Sequence, residues 1–136
     1  MAETLELEIV TPEKKVVSDQ AEEVQIPGKR GYLGILPGHA PLITELAVGE
    51  ITYRREGATE HLSVAWGFAE VLPNKVTVLA ESAERAQDID VKRAEEQRQR
   101  AEEQLKSGDP NTDFPRALNA LQRAETRLAV AAKKNS

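Results

Sequence analysis

Apolar and polar positions change period partway along the chain. In TLELEIV (residues 4–10), Leu5, Leu7 and Ile9 alternate with Glu6 and Glu8, the two-residue period of a half-buried strand. EEVQIP (22–27) repeats the pattern with Val24 and Ile26. GEITYRR (49–55), EHLSVAWG (60–67) and NKVTVLAE (74–81) continue it with Ile51 and Tyr53, Leu62 and Val64, and Val76 and Val78. Gly and Pro recur between these runs from Pro12 to Pro73, and short strands with regular turn signals predict an all-β sandwich or barrel. About 85 residues are enough for a small two-layer core.

Near Glu81 the two-residue period ends. Residues 90–106 contain no Gly or Pro and are rich in the helix formers Ala, Glu, Gln and Arg, with Asp88 or Asp90 available as N-cap. SGDPNTDFP (107–115) breaks that helix, and a second runs from about Asp113 to Lys133. Its larger apolar residues, Leu118, Leu121 and Leu128, form a stripe that Ala117, Ala120, Ala124 and Ala131 broaden. The short connection makes the helices antiparallel neighbours. The predicted fold is β + α: an antiparallel β-sandwich over residues 1–87, then an antiparallel two-helix hairpin over residues 88–136.

That hairpin is weakly anchored. DIDVKRAEEQRQRA (88–101) offers only Ile89 and Val91 as large apolar side chains. Leu105, Leu118, Leu121 and Leu128 each contribute about 2 kcal/mol if buried. Ordering about 45 residues costs roughly 1–2 kcal/mol each before backbone bonds and packing compensate. Such a hairpin suits a detachable element better than a permanent core.

Composition narrows the function. The chain has no cysteine, which excludes disulfides and thiolate-bound zinc, and only two histidines, His39 and His61, so no metal site is expected. No apolar run approaches the ~18 residues that span a bilayer, and the acidic, alternating N-terminus is unlike a signal peptide. The expectation is a soluble, intracellular protein without direct membrane insertion. Net charge is −5, divided as −6 over residues 1–87 and +1 over residues 88–136. Residues 114–136 hold Arg116, Arg123, Arg127, Lys133 and Lys134 against one acid, Glu125. That end suits an acidic partner or a phosphate, although a solvated helix face explains it equally simply. An acidic chain with five aromatics does not read as a nucleic-acid binder. There is no phosphate-binding Gly-x-x-x-x-Gly-Lys-Ser/Thr loop and no nucleophile elbow, so no catalytic residue is assigned.

GYLGILPGHAPLITEL (31–46), VGEITYR (48–54), GFAEV (67–71), IDVKRA (89–94) and ALQRAETRLAVA (120–131) occur in that order. Together they resemble the epsilon subunit of bacterial F-type ATP synthases, over nearly the whole chain. The resemblance implies a non-catalytic rotor subunit of a proton-translocating ATP synthase, peripheral on the cytoplasmic side of the bacterial cell membrane. It implies a sandwich that binds the gamma subunit and the c-ring. It also implies a hairpin that, when extended, reaches the alpha and beta subunits and inhibits ATP hydrolysis.

Two motifs carry residue-level expectations. Pro37, Gly38 and Pro41 impose a tight loop; the resemblance places Gly38 and His39 at the partner interface, while the plainer reading of His39 is a hydrogen-bonded surface residue. In IDVKRA, capping by Asp90 and stapling by Ile89 suffice on spacing alone. The same residues, Ile89, Asp90, Arg93 and Ala94, also match the ATP-binding motif of some bacterial epsilon subunits. That resemblance implies ATP as a regulatory ligand, with no cofactor required. Ile89 and Ala94 then flank adenine, Asp90 and Glu84 accept hydrogen bonds from its amino group or the ribose, and Arg93, Arg100, Arg123 and Arg127 face the phosphates. Planar guanidinium suits that role because it donates bidentately to phosphate oxygens. Arg116, Arg123, Lys133 and Lys134 are the expected inhibitory contacts. Two rival readings are a stand-alone ATP-sensing module and an all-β scaffold with a disordered basic tail.

Overall fold

The computed structural model describes residues 3–133. Eight strands come first: β1 (Leu5–Val10), β2 (Lys15–Ala21), β3 (Glu23–Gly28), β4 (Gly31–Ile35), β5 (Leu42–Leu46), β6 (Gly49–Arg55), β7 (Ala58–Leu72) and β8 (Lys75–Arg85). A 3-10 turn (Ala86–Asp88) leads into helices α1 (Val91–Lys106) and α2 (Phe114–Ala131). The strand order is β2-β1-β8-β7-β5-β3-β4, with β6 pairing β3 and β7. The sheet is mixed rather than wholly antiparallel, because β1 runs parallel to β8, with Leu7 opposite Val76 and Ile9 opposite Val78.

Alternation does what it predicts in β1, where Leu5, Leu7 and Ile9 are buried and the residues between them half-exposed. They join Val24, Ile26, Ile35, Ile51, Tyr53, Leu62 and Val78 in one core between the two layers. Tyr53 is the largest side chain buried there, and its hydroxyl is satisfied: it donates to Asp19 Oδ2 at 2.6 Å and accepts from Arg85 at 3.2 Å. Burial, and then the neighbouring carboxylate, push the phenol up to about 12.

Strand β7 serves both layers. Its first half pairs with β6 and its second half with β5, while β8 pairs with it from Leu62 to Leu72. The inward face changes parity on the way: Leu62 and Val64 face the core in the first half, Ala69 and Val71 in the second. The change falls at Trp66 and Gly67, whose φ values are +48° and +131°. An extra half-turn of this kind is how a strand passes its side chains to the opposite face. Gly67 is obligatory there, since a Cβ would lie 2.0 Å from the Leu79 carbonyl oxygen.

Both helices begin at an aspartate. Asp90 accepts from the Arg93 amide and Asp113 from the Arg116 amide, each at 3.1 Å. Of the expected stripe, the alanines rather than the leucines are what packs. Leu118 is 52% exposed, and Leu105, Leu121 and Leu128 are half-buried. The seam is made by Ala94 and Ala101 of α1 and by Ala117, Ala124 and Ala131 of α2, all at most 4% exposed. Seven-residue spacing keeps these alanines on one line, and their small size lets the backbones approach where leucine would hold them apart. Among the described residues, no helix is long and apolar enough to cross a membrane.

Candidate functional site

In the first half of β7, residues 62–65 are all buried, although only alternate ones face the core. The others, Ser63 and Ala65, lie on the outer face, where α2 packs across β6 and β7. In register with Ser63 stand Glu50 on β6 and Glu84 on β8, so this face carries two carboxylates. Helix α2 and the turn that follows it meet it with cations. Lys133 reaches Glu50 Oε1 at 2.8 Å, and Glu50 Oε2 also accepts from His61 Nδ1 at 3.0 Å. Arg127 donates through Nε to Glu84 at 2.7 Å and through another nitrogen to Gln97 of α1 at 3.0 Å. Arg123 lies over the Trp66 ring, 5.2 Å from its centroid. An apolar cluster secures one end of the helix, where Ala86 and Ile89 meet Val130 and Ala131.

Between α1, α2 and the β7–β8 kink lies an open cleft of about 490 Å³. Four guanidinium groups line it, those of Arg100, Arg116, Arg123 and Arg127, together with Trp66, Gln97 and Glu81. Of the eight residues proposed for ATP, Arg100, Arg123 and Arg127 are thus brought together, and Glu84 joins through its bond to Arg127. Ile89, Asp90, Arg93 and Ala94 do not line the cleft. Ile89 is packed in the apolar cluster, Asp90 caps α1, Arg93 is exposed, and Ala94 is sealed in the helix seam. Arg116, expected only as an inhibitory contact, is a cleft residue, whereas Lys133 is held by Glu50. Lys134 lies outside the described residues.

Trp66, Gln97 and Glu81 were not anticipated. Trp66 and Glu81 lie in strand segments, and only the parity change turns them toward the helices; no local pattern signals that. Gln97 did carry a signal, lying one helical turn from both Arg93 and Arg100. Gly38 and His39 lie on the loop between β4 and β5. Gly38 has φ +89° and donates to the Pro73 carbonyl at 2.7 Å, which ties the loop to the β7–β8 turn. The His39 imidazole donates to the Ala40 carbonyl at 2.7 Å. A separate apolar surface is formed by Ile43, Phe68 and Leu79, exposed by 73%, 53% and 56% on adjacent strands. Among the described residues, no group of His, Cys, Asp and Glu side chains is placed to hold a metal ion.

Two family models divide the chain. The ATP synthase delta/epsilon chain β-sandwich domain matches residues 4–86, and the delta/epsilon long α-helix domain matches residues 87–132. The chain is 66% identical over 110 residues to the ATP synthase epsilon chain of Koribacter versatilis, covering 81% of this chain and 78% of that one. It is 51% identical over 130 residues to that of Nitratidesulfovibrio vulgaris strain DP4, covering 96% and 97%. With that of Solibacter usitatus it shares 48% over 134 residues, covering 98% and 100%. In fold it is similar to a chain of the Euglena gracilis mitochondrial ATP synthase OSCP/F1/c-ring structure. The TM-score is 0.80 at 21% identity, over 93% of this chain and 80% of that one.

Proposed function

The chain belongs to the ATP synthase epsilon-chain family, and from that premise we propose that it is a non-catalytic rotor subunit with a regulatory hairpin. Its sandwich docks on the gamma subunit and the c-ring, so that ion flow and the catalytic cycle stay coupled. The exposed row of Ile43, Phe68 and Leu79 supports docking, because three large apolar side chains on neighbouring strands suit a protein partner better than water. The subunit sits peripherally on the cytoplasmic side of the bacterial membrane.

The regulatory half of the reading rests on one observation: four arginines from both helices line one cleft while the hairpin is folded against the sandwich. Such a cleft suits a polyphosphate, and ATP bound there favours the folded hairpin. When ATP falls, the hairpin leaves the sandwich. Arg116, Arg123, Lys133 and Lys134 then reach acidic surfaces of the alpha and beta subunits and slow hydrolysis. Ligand that binds only the folded form stabilises it by about 2.7 kcal/mol at a hundredfold excess over Kd, enough to exchange the dominant state of a weakly seated hairpin.

The test compares ATP hydrolysis by complexes carrying the full chain or residues 1–87. Removing residues 88–136 raises hydrolysis, most of all at low ATP, and leaves coupling intact. Curves that coincide at every ATP concentration would overturn the inhibitory role. A stand-alone ATP sensor, the rival, predicts no stable complex with gamma, and co-purification separates the two.

A further inference from the structure

Trp66 occupies a backbone position that a large side chain rarely takes. Its φ of +48° lies in the left-handed region, where glycine or asparagine is usual and a bulky residue is held only by its surroundings. Gly67 and the Leu79 backbone fix the kink from one side. On the other side the indole meets Arg123 of α2. This contact differs in kind from the two other cationic anchors, one in α2 and one just after it. Lys133 and Arg127 give their charge to carboxylates, Glu50 and Glu84. Among the described residues, no carboxylate lies within ion-pair distance of Arg123. An aromatic face attracts a cation through its quadrupole and takes none of its N–H donors.

We propose that Trp66 is a positioning residue for Arg123: the indole holds α2 on the sandwich and sets that guanidinium at the cleft wall with its donors available to an anion. A carboxylate at position 66 would seat the helix as well but would occupy the same donors. The ligand part of this proposal rests on the reading of the arginine cleft as a phosphate site; the seating of α2 does not. The cost of placing tryptophan in left-handed backbone is offset only while the hairpin is closed, so opening loses the stacking and keeps the strain.

The test uses the full chain and has two arms. Without ligand, amide exchange in α2 is compared for wild type, Trp66→Phe, Trp66→Ala and Trp66→Gly. Exchange accelerates about fivefold in the Ala and Gly variants, the scale of a lost cation–π contact, and much less in the Phe variant, which keeps a ring. Trp66→Ala combined with Arg123→Ala is no faster than either alone. Thermal unfolding of the sandwich is not lowered in Trp66→Gly, because glycine adopts the left-handed backbone freely. In the second arm, titration with ATP and with inorganic triphosphate shows a similar loss in Trp66→Ala and partial retention in Trp66→Phe.

Unchanged exchange in Trp66→Gly overturns the seating role, and a Phe variant as fast as Ala assigns the effect to bulk rather than to the aromatic face. Unchanged triphosphate affinity in Trp66→Ala overturns the positioning of Arg123. If wild type binds neither ATP nor triphosphate, the phosphate reading of the cleft fails with its ligand clause, and the exchange arm still decides whether Trp66 seats α2.

Discussion

The sandwich and the hairpin bury residues by opposite means. Between the strands, Leu5, Leu7, Ile9, Ile51 and Leu62 are at most 1% exposed and interdigitate around Tyr53. Between the helices the buried residues are alanines, and the helix–sandwich junction is carried by Arg123, Arg127 and Lys133 plus one small apolar cluster. Burial of large aliphatics is worth about 1.5–3 kcal/mol per side chain. An ion pair that water still reaches is worth about 0–1 kcal/mol at the surface and weakens with salt. The first arrangement holds under any partner or ligand; the second yields to a modest competitor.

Substitutions can break that contrast. Leu62→Ala should cost the whole chain about 2–5 kcal/mol by emptying a packed site. Leu118→Ala, on the exposed side of α2, should cost less than about 0.5 kcal/mol. Denaturant titrations that return equal costs would mean that the hairpin packs like a core. Ala124→Leu should wedge the helix seam and cost about 1–3 kcal/mol. Its loss should appear in helical dichroism at lower denaturant, with the sandwich transition unmoved; a shift of both transitions together would make the two regions one cooperative unit.

A smaller cost than that at Leu62 is expected at Tyr53. Its phenol is raised from 10 to about 12, so the folded chain keeps a proton that the unfolded chain releases between those values. The stabilisation is fully present below pH 10 and is lost as pH rises toward about 12. Tyr53→Phe should remove this part of the alkaline decline and cost about 1 kcal/mol at neutral pH through the lost hydrogen bonds. An alkaline unfolding curve identical to wild type would show that Tyr53 does not report on the sandwich.

How much of this was legible depended on whether local pattern and tertiary packing agreed. Alternation in β1 and β6 and the Asp90 start of α1 needed no partner to be read. β2 escaped because Val16 and Val17 are adjacent, and β4 and β5 because Gly34, Pro37 and Pro41 mark that stretch as loop. Nor does alternation disclose that β7 continues through Trp66, since the parity change interrupts the pattern it relies on. Leucine outranks alanine on any hydropathy scale, yet close helix approach selects alanine. Spacing alone misplaces the arginines: Arg93 shares a face with Arg100 seven residues on but lies outside the cleft, while Arg116, expected only as an inhibitory contact, lines it; Trp66 reaches the cleft only through the fold.

The parallel pairing of β1 with β8 sets an order of events for a growing chain. Ile9 is completed among the first residues but pairs with Val78, so the first strand waits for the last before its second edge is covered. Joining ends so distant in sequence carries a loop-closure cost and slows the step. The helices are local and form within microseconds of release. Their cationic anchors, however, have no Glu50, Trp66 or Glu84 to meet until β6, β7 and β8 stand side by side. Helix α2 therefore closes only after β6, β7 and β8 have paired to present these groups.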